Sequence, residues 1–357
     1  MLPKPESVNQ LLIEGVNMGG SDIHIATGAP PKTRVYGSLK VMPYDELTTQ
    51  DTRSLLDPLM DAYARTKLDS TGQWDMSYSI HGVARFRVNI FKQKGAYTGV
   101  FRVLNDKIPT TQQLGLPLSF FELTKLRRGL VLVTGVTGSG KSTTLASFID
   151  IINKNMYKHI ITLEDPIEYV HWHAHSNVSQ REIGSDVDSF DNGLRAALRE
   201  DPDIILVGEM RDMETMQTAL LSAETGHLVL STLHTMGAAE TVDRVIDTFP
   251  ERQHTQIKNQ LASTLQAIMS QQLMPRKDGK GYIVAYEILY KNRKVQDLIR
   301  YGNSSEIEDY MKSEEARKEG NCIMDDCILN LFKRGLISTD TALSYAIDKK
   351  YVTSRLG

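Results

Sequence analysis

One glycine-rich loop constrains the fold of this chain of 357 residues more than any other feature. The segment Gly135–Ser142, GVTGSGKS, fits the pattern G-x-x-x-x-G-K-[ST]. The apolar run Leu130–Thr134 precedes it and the helical stretch Thr143–Ile152 follows it. In that order, strand, loop and helix form a phosphate-binding loop, in which backbone N–H groups and the positive end of the helix dipole surround an anion. The sequence therefore predicts an α/β domain that binds a phosphorylated ligand.

Two side chains of the loop indicate which ligand this is. Lys141 can reach the β and γ phosphates of a nucleoside triphosphate, and Ser142 can coordinate magnesium. A chance match to the pattern in a chain of this length occurs on the order of once in a hundred chains, so a plain glycine-rich turn is the weaker interpretation. We expect ATP and Mg²⁺ to bind here. The residues predicted to hold the nucleotide are Gly135, Val136, Thr137, Gly138, Ser139, Gly140, Lys141, Ser142 and Thr143.

Carboxylates follow two further apolar runs of the kind that form buried parallel strands. Glu164 follows Ile160–Leu163, and Glu209 comes two residues after Ile204–Val207. Ligands of open α/β sheets bind at the carboxyl ends of the strands. Glu164 is therefore predicted to orient or deprotonate the attacking water, and Glu209 to hold magnesium through its water shell. An acid after one strand is commonly a helix cap, but two beside a phosphate loop favour catalysis, and which of them is the base stays open.

Histidines flank a fourth apolar run, Leu228–Thr232. His227 precedes the run and His234 follows it. A lone histidine is more often structural than catalytic, but beside converging strand ends a neutral imidazole can report whether the γ phosphate is present. Three more imidazoles alternate within His171–His175, a spacing that a metal site could use. Because no carboxylate or thiol lies close in sequence, solvated histidines are the better interpretation.

The first hundred residues have a different pattern. A Ser-x-x-Gln capping box at Ser7 starts an amphipathic helix, and short alternating segments follow. Residues 84–90 alternate apolar with polar positions, and a partner run over 97–103 follows a turn near Gly95, which predicts an antiparallel hairpin. Arg87 and Arg102 lie on its two strands, and their plain interpretation is a solvated sheet face. We expect a small α+β domain with a largely antiparallel sheet.

Between these two regions the periodicity lapses into proline, threonine and glutamine, a composition typical of a linker. We predict a first domain over residues 1–105, a linker over 106–117, and a larger α/β domain with carboxyl-terminal helices over 118–357. Two domains also agree with the length of the chain, because single cores seldom exceed about 250 residues.

Charge and composition exclude several classes of function. Lys and Arg total 41 against 44 Asp and Glu, which gives a net charge of -3. The chain also has no basic stretch interleaved with aromatic residues. Both observations argue against a nucleic-acid translocase. Intact Glu164 and Glu209 argue against a nucleotide switch without turnover. No stretch approaches the roughly 18 apolar residues of a membrane span, and the amino terminus lacks a signal-peptide pattern, so we expect a cytoplasmic protein.

Six segments together carry a specific resemblance. Four of them are the phosphate loop, LEDPIEY at 163–169, ALREDPDIILVGEMRD at 197–212 and GHLVLSTLHT at 226–235. In that order they resemble the Walker A, Asp box, Walker B and His box of the bacterial secretion ATPase superfamily. GGSDIHIATGAPP at 19–31 and ARFRVNIF at 84–91 resemble the amino-terminal domain of its pilus-retraction ATPases. The similarity spans nearly the whole chain.

The resemblance implies a PAS-like amino-terminal α+β domain joined by a flexible linker to a RecA-like P-loop ATPase domain, assembled as a homohexameric ring. It implies that Glu164 is the general base, that Glu209 is associated with magnesium, and that Arg87 and Arg102 reach the nucleotide phosphates. Such a motor would depolymerise a type IV pilus, as in twitching motility, through an inner-membrane platform protein. It would associate only peripherally with the cytoplasmic face of the membrane machinery.

Two features bear on the branch of the family. Retraction ATPases usually carry an Ala-Ile-Arg-Asn-Leu-Ile-Arg-Glu-like element near the carboxyl end, whereas Val295–Arg300 reads VQDLIR. This partial match leaves open a retraction motor, an accessory paralogue or a related secretion ATPase. Pilus-extension ATPases typically carry a tetracysteine metal site, which Cys322 and Cys327 alone cannot supply. Retraction is therefore favoured over extension.

Overall fold

The computed structural model describes residues 2–104 and 107–356. The chain divides into two compact units, residues 1–107 with 166–169 and residues 108–165 with 170–357. Asn105 and Asp106, where the predicted linker begins, lie outside the described residues, and the predicted boundaries at 105 and 117 remain predictions. No helix in the described ranges combines the length and the apolar character needed to cross a membrane.

Part of the predicted linker, Thr111–Leu114, is helical and belongs to the second unit. A capping box starts this short helix. Leu116 is buried in an apolar cluster with Phe120, and Ser147 donates a hydrogen bond of 2.6 Å to the carbonyl of Pro109. The polar residues that suggest a loop in the sequence thus cap a helix here, which local hydrogen bonding favours.

The first unit is an α+β fold around one sheet. Its elements are α1 (Val8–Asn17), β1 (Asp22–Ile25), β2 (Lys32–Val35), β3 (Ser38–Val41), α2 (Thr49–Leu56), a 3-10 turn (Asp57–Leu59), α3 (Ala62–Thr71), β4 (Gln73–Ile80), β5 (Ala84–Gln93) and β6 (Ala96–Leu104). The strands lie in the order β3-β2-β1-β6-β5-β4, and every neighbouring pair is antiparallel. The largely antiparallel sheet predicted for this region is confirmed.

The hairpin of β5 and β6 has a register that places Arg87 directly opposite Arg102. Its two-residue turn, Lys94 and Gly95, has positive φ angles of 50° and 81°, as expected for turns that match the twist of the strands. The side chains of β5 that point into the core of the unit are those of Ala84, Phe86, Val88 and Ile90. The predicted hairpin is confirmed, and its arginines lie on the face away from that core.

The second unit is built on a seven-stranded sheet. Its elements are α4 (Thr111–Leu114), α5 (Leu118–Phe121), a 3-10 turn (Glu122–Lys125), β7 (Gly129–Thr134), α6 (Lys141–Asn155), β8 (His159–Glu164), β9 (Asn177–Glu182), α7 (Phe190–Ala197), β10 (Ile204–Val207), α8 (Met213–Thr225), β11 (Leu228–Leu233), α9 (Ala238–Asp247), a 3-10 turn (Glu251–Gln253), α10 (His254–Thr264), β12 (Leu265–Pro275), β13 (Tyr282–Tyr290), α11 (Arg293–Tyr301), α12 (Ser304–Lys312), α13 (Glu314–Lys318), α14 (Met324–Lys333), α15 (Thr339–Tyr345) and α16 (Lys349–Thr353).

The strands of this sheet lie in the order β13-β12-β7-β11-β10-β8-β9. All neighbours are parallel except β12 and β13. The four apolar runs predicted as buried parallel strands form β7, β8, β10 and β11, so that prediction is confirmed. Leu132 and Ile205 pack on one side with α8, α9 and α10, whereas Val131 and Leu206 pack on the other side with α6.

Coverage of both faces explains why these strands are apolar throughout, since every residue of β7, β10 and β11 is buried. Within these three strands a charged side chain would be buried, so charges are favoured at or beyond the strand ends. The ends of β7, β11, β10 and β8 meet at one edge of the sheet, the carboxyl edge. Their beginnings define the amino edge on the opposite side.

Candidate active site

The phosphate loop occupies the turn between β7 and α6, at the carboxyl edge. Gly135, Gly138 and Gly140 have φ angles of 137°, 80° and 92°, which favour glycine. Space also requires glycine at position 135, because a Cβ there would lie 2.3 Å from the carbonyl oxygen of Gln271. Gly140 precedes α6 and no side chain caps that helix. Its first N–H groups are thus arranged as in helix ends that bind phosphate.

Two buried side chains of the loop point to the ligand it takes. Lys141 is 8% exposed, and its Nζ donates to the carbonyls of Gly135 at 2.7 Å and Val136 at 3.1 Å, which folds the side chain across the loop. The buried hydroxyl of Ser139 has no hydrogen-bond partner among the residues that the structure describes. Since buried polar atoms are nearly always paired, this donor fits an oxygen of a bound phosphate.

Glu164 is the last residue of β8, and two neighbours set its orientation. Thr162 Oγ1 donates to Glu164 Oε1 at 2.6 Å, and Gln180 Nε2 on β9 donates to the same oxygen at 3.0 Å. Leu163 pairs with Val207 of β10, so Glu164 comes level with the end of β10. No sequence motif marks Gln180, because only the pairing of β8 with β9 brings it to Glu164.

Glu209, two residues beyond β10, lies between a guanidinium and an imidazole. Its Oε1 accepts from Arg211 Nε at 2.8 Å and lies 3.3 Å from His234 Nε2. Burial alone raises the pKa of the Glu209 carboxyl, but the hydrogen bond and charge of Arg211, with help from His234, outweigh burial and hold this pKa below its ordinary value. The carboxylate is therefore ionised at neutral pH. Arg211 is not among the predicted site residues, although it lies within the Walker B-like segment 197–212, two residues after Glu209.

Backbone hydrogen bonds hold the loops of the carboxyl edge together. The N–H of Gly135 donates to the carbonyl of Leu233 at 3.3 Å, and the N–H of Gly208 donates to that of Leu163 at 2.7 Å. Ser142 and Thr143 follow in the first turn of α6. The predicted residues that the structure brings to this edge are those of the phosphate loop together with Glu164, Glu209 and His234.

His227 lies apart from this group, which corrects one prediction. It precedes β11, and its carbonyl accepts the N–H of Gly129, the first residue of β7. Its ring Nδ1 lies 3.0 Å from the carbonyl of Ser222. Because six extended residues span about 20 Å, the histidines that bracket β11 lie at opposite edges of the sheet. The expectation that His227 shares the phosphate edge with His234 is therefore wrong within one chain.

In the first unit, Arg87 and Arg102 form a cross-strand pair. Asp22 of β1 lies opposite Arg102 on the other side and accepts from its Nε at 2.9 Å. Arg87 makes no ion pair and no side-chain hydrogen bond within residues 2–104 and 107–356. Both guanidinium groups are exposed. The predicted arginines thus share one solvent-facing row, in which Asp22 holds one of them.

The three imidazoles after β8 have separate surroundings. His171 is buried, and burial lowers its pKa to about 4, which corrects the expectation that it is solvated. His173 is exposed and its Nδ1 accepts from the N–H of Val178 at 3.0 Å, while exposed His175 stacks on Tyr157. Within the described part of the chain, no group of three or more His, Cys, Asp or Glu side chains is placed to hold a metal ion.

Comparison with known proteins gives the family. Residues 86–281 match the family described as Type II/IV secretion system protein. The type IV pilus retraction ATPase PilT of Pseudomonas aeruginosa is 42% identical over 335 residues, 94% of this chain and 96% of that protein. The type IV pilus ATPase PilU of the same organism is 39% identical over 96% of this chain and 88% of that protein. A crystal structure of the pilus retraction motor PilT with bound ADP has a TM-score of 0.92 at 44% identity, covering 98% of this chain and 100% of that chain.

The chain therefore belongs to the type II/IV secretion system protein family, and within it to the pilus-retraction ATPases. It is an ATPase, and nucleotide is its ligand. The predicted fold class, an α/β ATPase domain of RecA-like type with an amino-terminal PAS-like α+β domain, is confirmed, and so is the predicted function in pilus retraction. The identity to PilU is lower than the identity to PilT, so the alternative assignment, an accessory paralogue or a related secretion ATPase, has weaker support.

Proposed function

We propose that ATP is hydrolysed at the carboxyl edge of the parallel sheet, with Mg²⁺ as the metal ion. The observation that carries this proposal is the convergence of four strand ends on one phosphate loop, two carboxylates and one imidazole. Phosphoryl transfer depends almost entirely on positioning and charge compensation. The residues of this edge can supply both.

The phosphate loop holds the triphosphate in this proposal. The N–H groups of the loop and of the first turn of α6 donate to phosphate oxygens, as does the buried hydroxyl of Ser139. Lys141 exchanges its bonds to the loop carbonyls for bonds to the β and γ phosphates. Ser142 and Glu209 hold Mg²⁺, the glutamate through water. When bound, the ion neutralises charge on the phosphate oxygens.

We assign Glu164 as the general base and His234 as the sensor of the γ phosphate. Thr162 and Gln180 fix one oxygen of the Glu164 carboxylate, which keeps the group in one orientation toward an attacking water. Glu209 suits this role less, because Arg211 lowers its pKa and so makes it a weaker base. His234 contacts Glu209 and can therefore respond to charge beside it.

Arg87 and Arg102 of the first unit complete the site in this proposal. Guanidinium groups compensate charge on the transferring phosphoryl oxygens. The support is their position opposite each other on an exposed face, where Arg87 has no partner in the described ranges. The linker predicted over 106–117 then lets the small unit close on the nucleotide.

At the level of the assembly we propose a homohexameric ring at the cytoplasmic face of the inner membrane. The ring acts on the pilus through an inner-membrane platform protein and does not bind nucleic acid. The support is the similarity to PilT over 94% of this chain and to the pilus retraction motor structure. The net charge of -3 agrees with the absence of a nucleic-acid substrate.

Glutamine substitutions test the roles of the two carboxylates. Glu164→Gln keeps shape and hydrogen bonding but cannot accept a proton, so turnover should fall at least about a hundredfold while ATP affinity stays within about threefold. Glu209→Gln should raise the Mg²⁺ concentration needed for half-maximal rate. Steady-state ATPase assays with ATP and Mg²⁺ titrations measure both, with Glu224→Gln at the amino edge as the control. Normal turnover in Glu164→Gln beside an inactive Glu209→Gln would reverse the two roles.

A further inference from the structure

A buried polar row crosses three strands of the second unit beside the phosphate loop. Glu287 of β13 lies opposite Ser270 of β12, which lies opposite Thr134, the residue before the loop. Glu287 is 9% exposed, Ser270 is 2% exposed and Thr134 is fully buried. Residues paired directly across strands share one face of a sheet, so the three side chains form one row. This polar row begins at the nucleotide edge and ends on the last strand.

The turn that follows His234 is fastened to the polar row. Gly237 donates its N–H to Ser270 Oγ at 3.0 Å, and Ala238 donates to Glu287 Oε1 at 2.7 Å. Ala238 is the first residue of α9, and the residue before it has no side chain to cap the helix. Glu287 therefore does from a distant strand what an N-cap residue usually does within its own helix. At the other end of the turn, His234 contacts Glu209.

The strand that carries Glu287 also holds the segment leading into a second helix. Ile288, the next residue of β13, donates its N–H to the carbonyl of Cys322 at 2.8 Å and accepts the N–H of Cys322 at 3.0 Å. Cys322 lies two residues before Met324, the first residue of α14. Burial raises the pKa of Glu287, while the N–H groups of Ala238 and Met324 act in the opposite direction. The helix α14 belongs to the carboxyl-terminal helices, α11–α16. Two neighbouring residues of β13, Glu287 and Ile288, thus join the start of α9, behind the nucleotide edge, to the segment before α14.

We infer that Glu287 is a positioning residue for ATP hydrolysis, which holds the turn that presents His234 to Glu209 and couples that turn, through β13, to α14. A displacement of α14 then changes the geometry of the His234–Glu209 pair, and a change at the nucleotide edge moves α14 in return. The inference rests on the proposed nucleotide site. In this role Glu287 connects the carboxyl-terminal helices to catalysis, whereas a residue that only caps α9 would affect stability alone.

A matched buried carboxylate separates positioning from stability. Asp325 is 5% exposed and accepts the N–H groups of Ile347 and Asp348, both at 2.8 Å, so its bonds stay within the carboxyl-terminal helices. Glu287→Gln and Asp325→Asn should both lower the melting temperature, because each loses one acceptor for a backbone N–H. Only Glu287→Gln should lower kcat, roughly tenfold, with KM for ATP within about twofold.

A double-mutant cycle with His234→Ala shows whether the effect acts through the turn. If Glu287 positions His234, then Glu287→Gln should lower kcat in the wild-type background and leave it nearly unchanged in His234→Ala. The inference is overturned by an equal decrease in both backgrounds, by a wild-type kcat in Glu287→Gln or in His234→Ala, or by an equal decrease in Asp325→Asn.

A second variant keeps the test decisive if Glu287→Gln does not fold. Ser270→Ala removes the other anchor of the same turn and should lower kcat in the same way, so a folded Ser270→Ala enzyme with normal kcat would also overturn the inference. Failure of the proposed site itself is recognised separately. A Lys141→Ala enzyme that retains turnover refutes the site, whereas an inactive Lys141→Ala beside a fully active Glu287→Gln refutes only the positioning role.

Discussion

In the second unit the proposed site residues lie at or just beyond the ends of parallel strands, whereas in the antiparallel sheet of the first unit Arg87 and Arg102 lie within strands. A strand covered on both faces cannot bear a charge without burying it, and an unpaired buried charge is costly. A strand with one solvated face can bear a charge at every second residue. The position of the chemistry thus follows from how each sheet is covered.

This difference between the two sheets predicts which substitutions change activity without changing the stability of the fold. At the carboxyl edge the backbone shapes the site, as the positive φ angles of the phosphate loop show, so side-chain truncation should remove chemistry and leave the fold. In the first unit the row from Arg87 through Arg102 to Asp22 includes an ion pair with a buried carboxylate. Substitutions in this row should therefore affect both ATP turnover and folding stability, to an extent that differs between residues.

The largest effect is expected at the phosphate loop. Lys141→Ala should abolish ATP turnover, because it removes the charge that pairs with the β and γ phosphates, while the far-ultraviolet circular dichroism spectrum stays that of the wild type. The control is Lys154→Ala, an exposed lysine on the same helix that pairs with Asp150 and should retain full turnover. Near-normal ATPase activity in Lys141→Ala would refute the assignment of the loop.

A smaller but still large effect is expected in the first unit. Arg87→Ala and Arg102→Ala should each lower turnover at least about tenfold. Arg87→Ala should leave the free energy of unfolding within about 0.5 kcal/mol of wild type, whereas Arg102→Ala should lower it further because Asp22 loses its ion-pair partner. Lys92→Ala, farther along β5, is the control. Equal turnover in all four proteins would mean that the row is only a solvated face.

The smallest effect concerns stability and pH. Burial alone raises the pKa of Asp22, but hydrogen bonds from Arg102 and Ser21 and the charge of Arg102 hold it below the ordinary value of 3.8. A lowered folded-state pKa contributes stability above pH 3.8 that is lost as the pH falls through the folded-state value. Urea unfolding should therefore show wild type more stable than Asp22→Asn at about pH 7 and a shrinking difference below pH 3.8. A difference that does not change with pH would contradict the ion pair, and Asp75→Asn on exposed β4 is the control.

Several features of this protein are determined within short stretches of its sequence. The strand, glycine loop and helix around Lys141 are contiguous, and so are the apolar runs that end near Glu164 and Glu209. The hairpin that carries Arg87 and Arg102 closes through a two-residue turn. In each case the apolar pattern and the turn residues specify the local structure. The type of each element, and most roles of the site residues on it, could therefore be predicted from the sequence.

Other features depend on which strands become neighbours, and only the tertiary structure decided them. Asp22 and Arg102 are 80 residues apart, and Ala238 and Glu287 are 49 apart. No local pattern predicts such contacts, because the order of strands in a sheet results from packing of the whole unit. The direction of β11 likewise decided that His227 and His234 lie at opposite edges. Sequence periodicity shows that a strand is buried, whereas its neighbours and its direction in the sheet arise from long-range pairing.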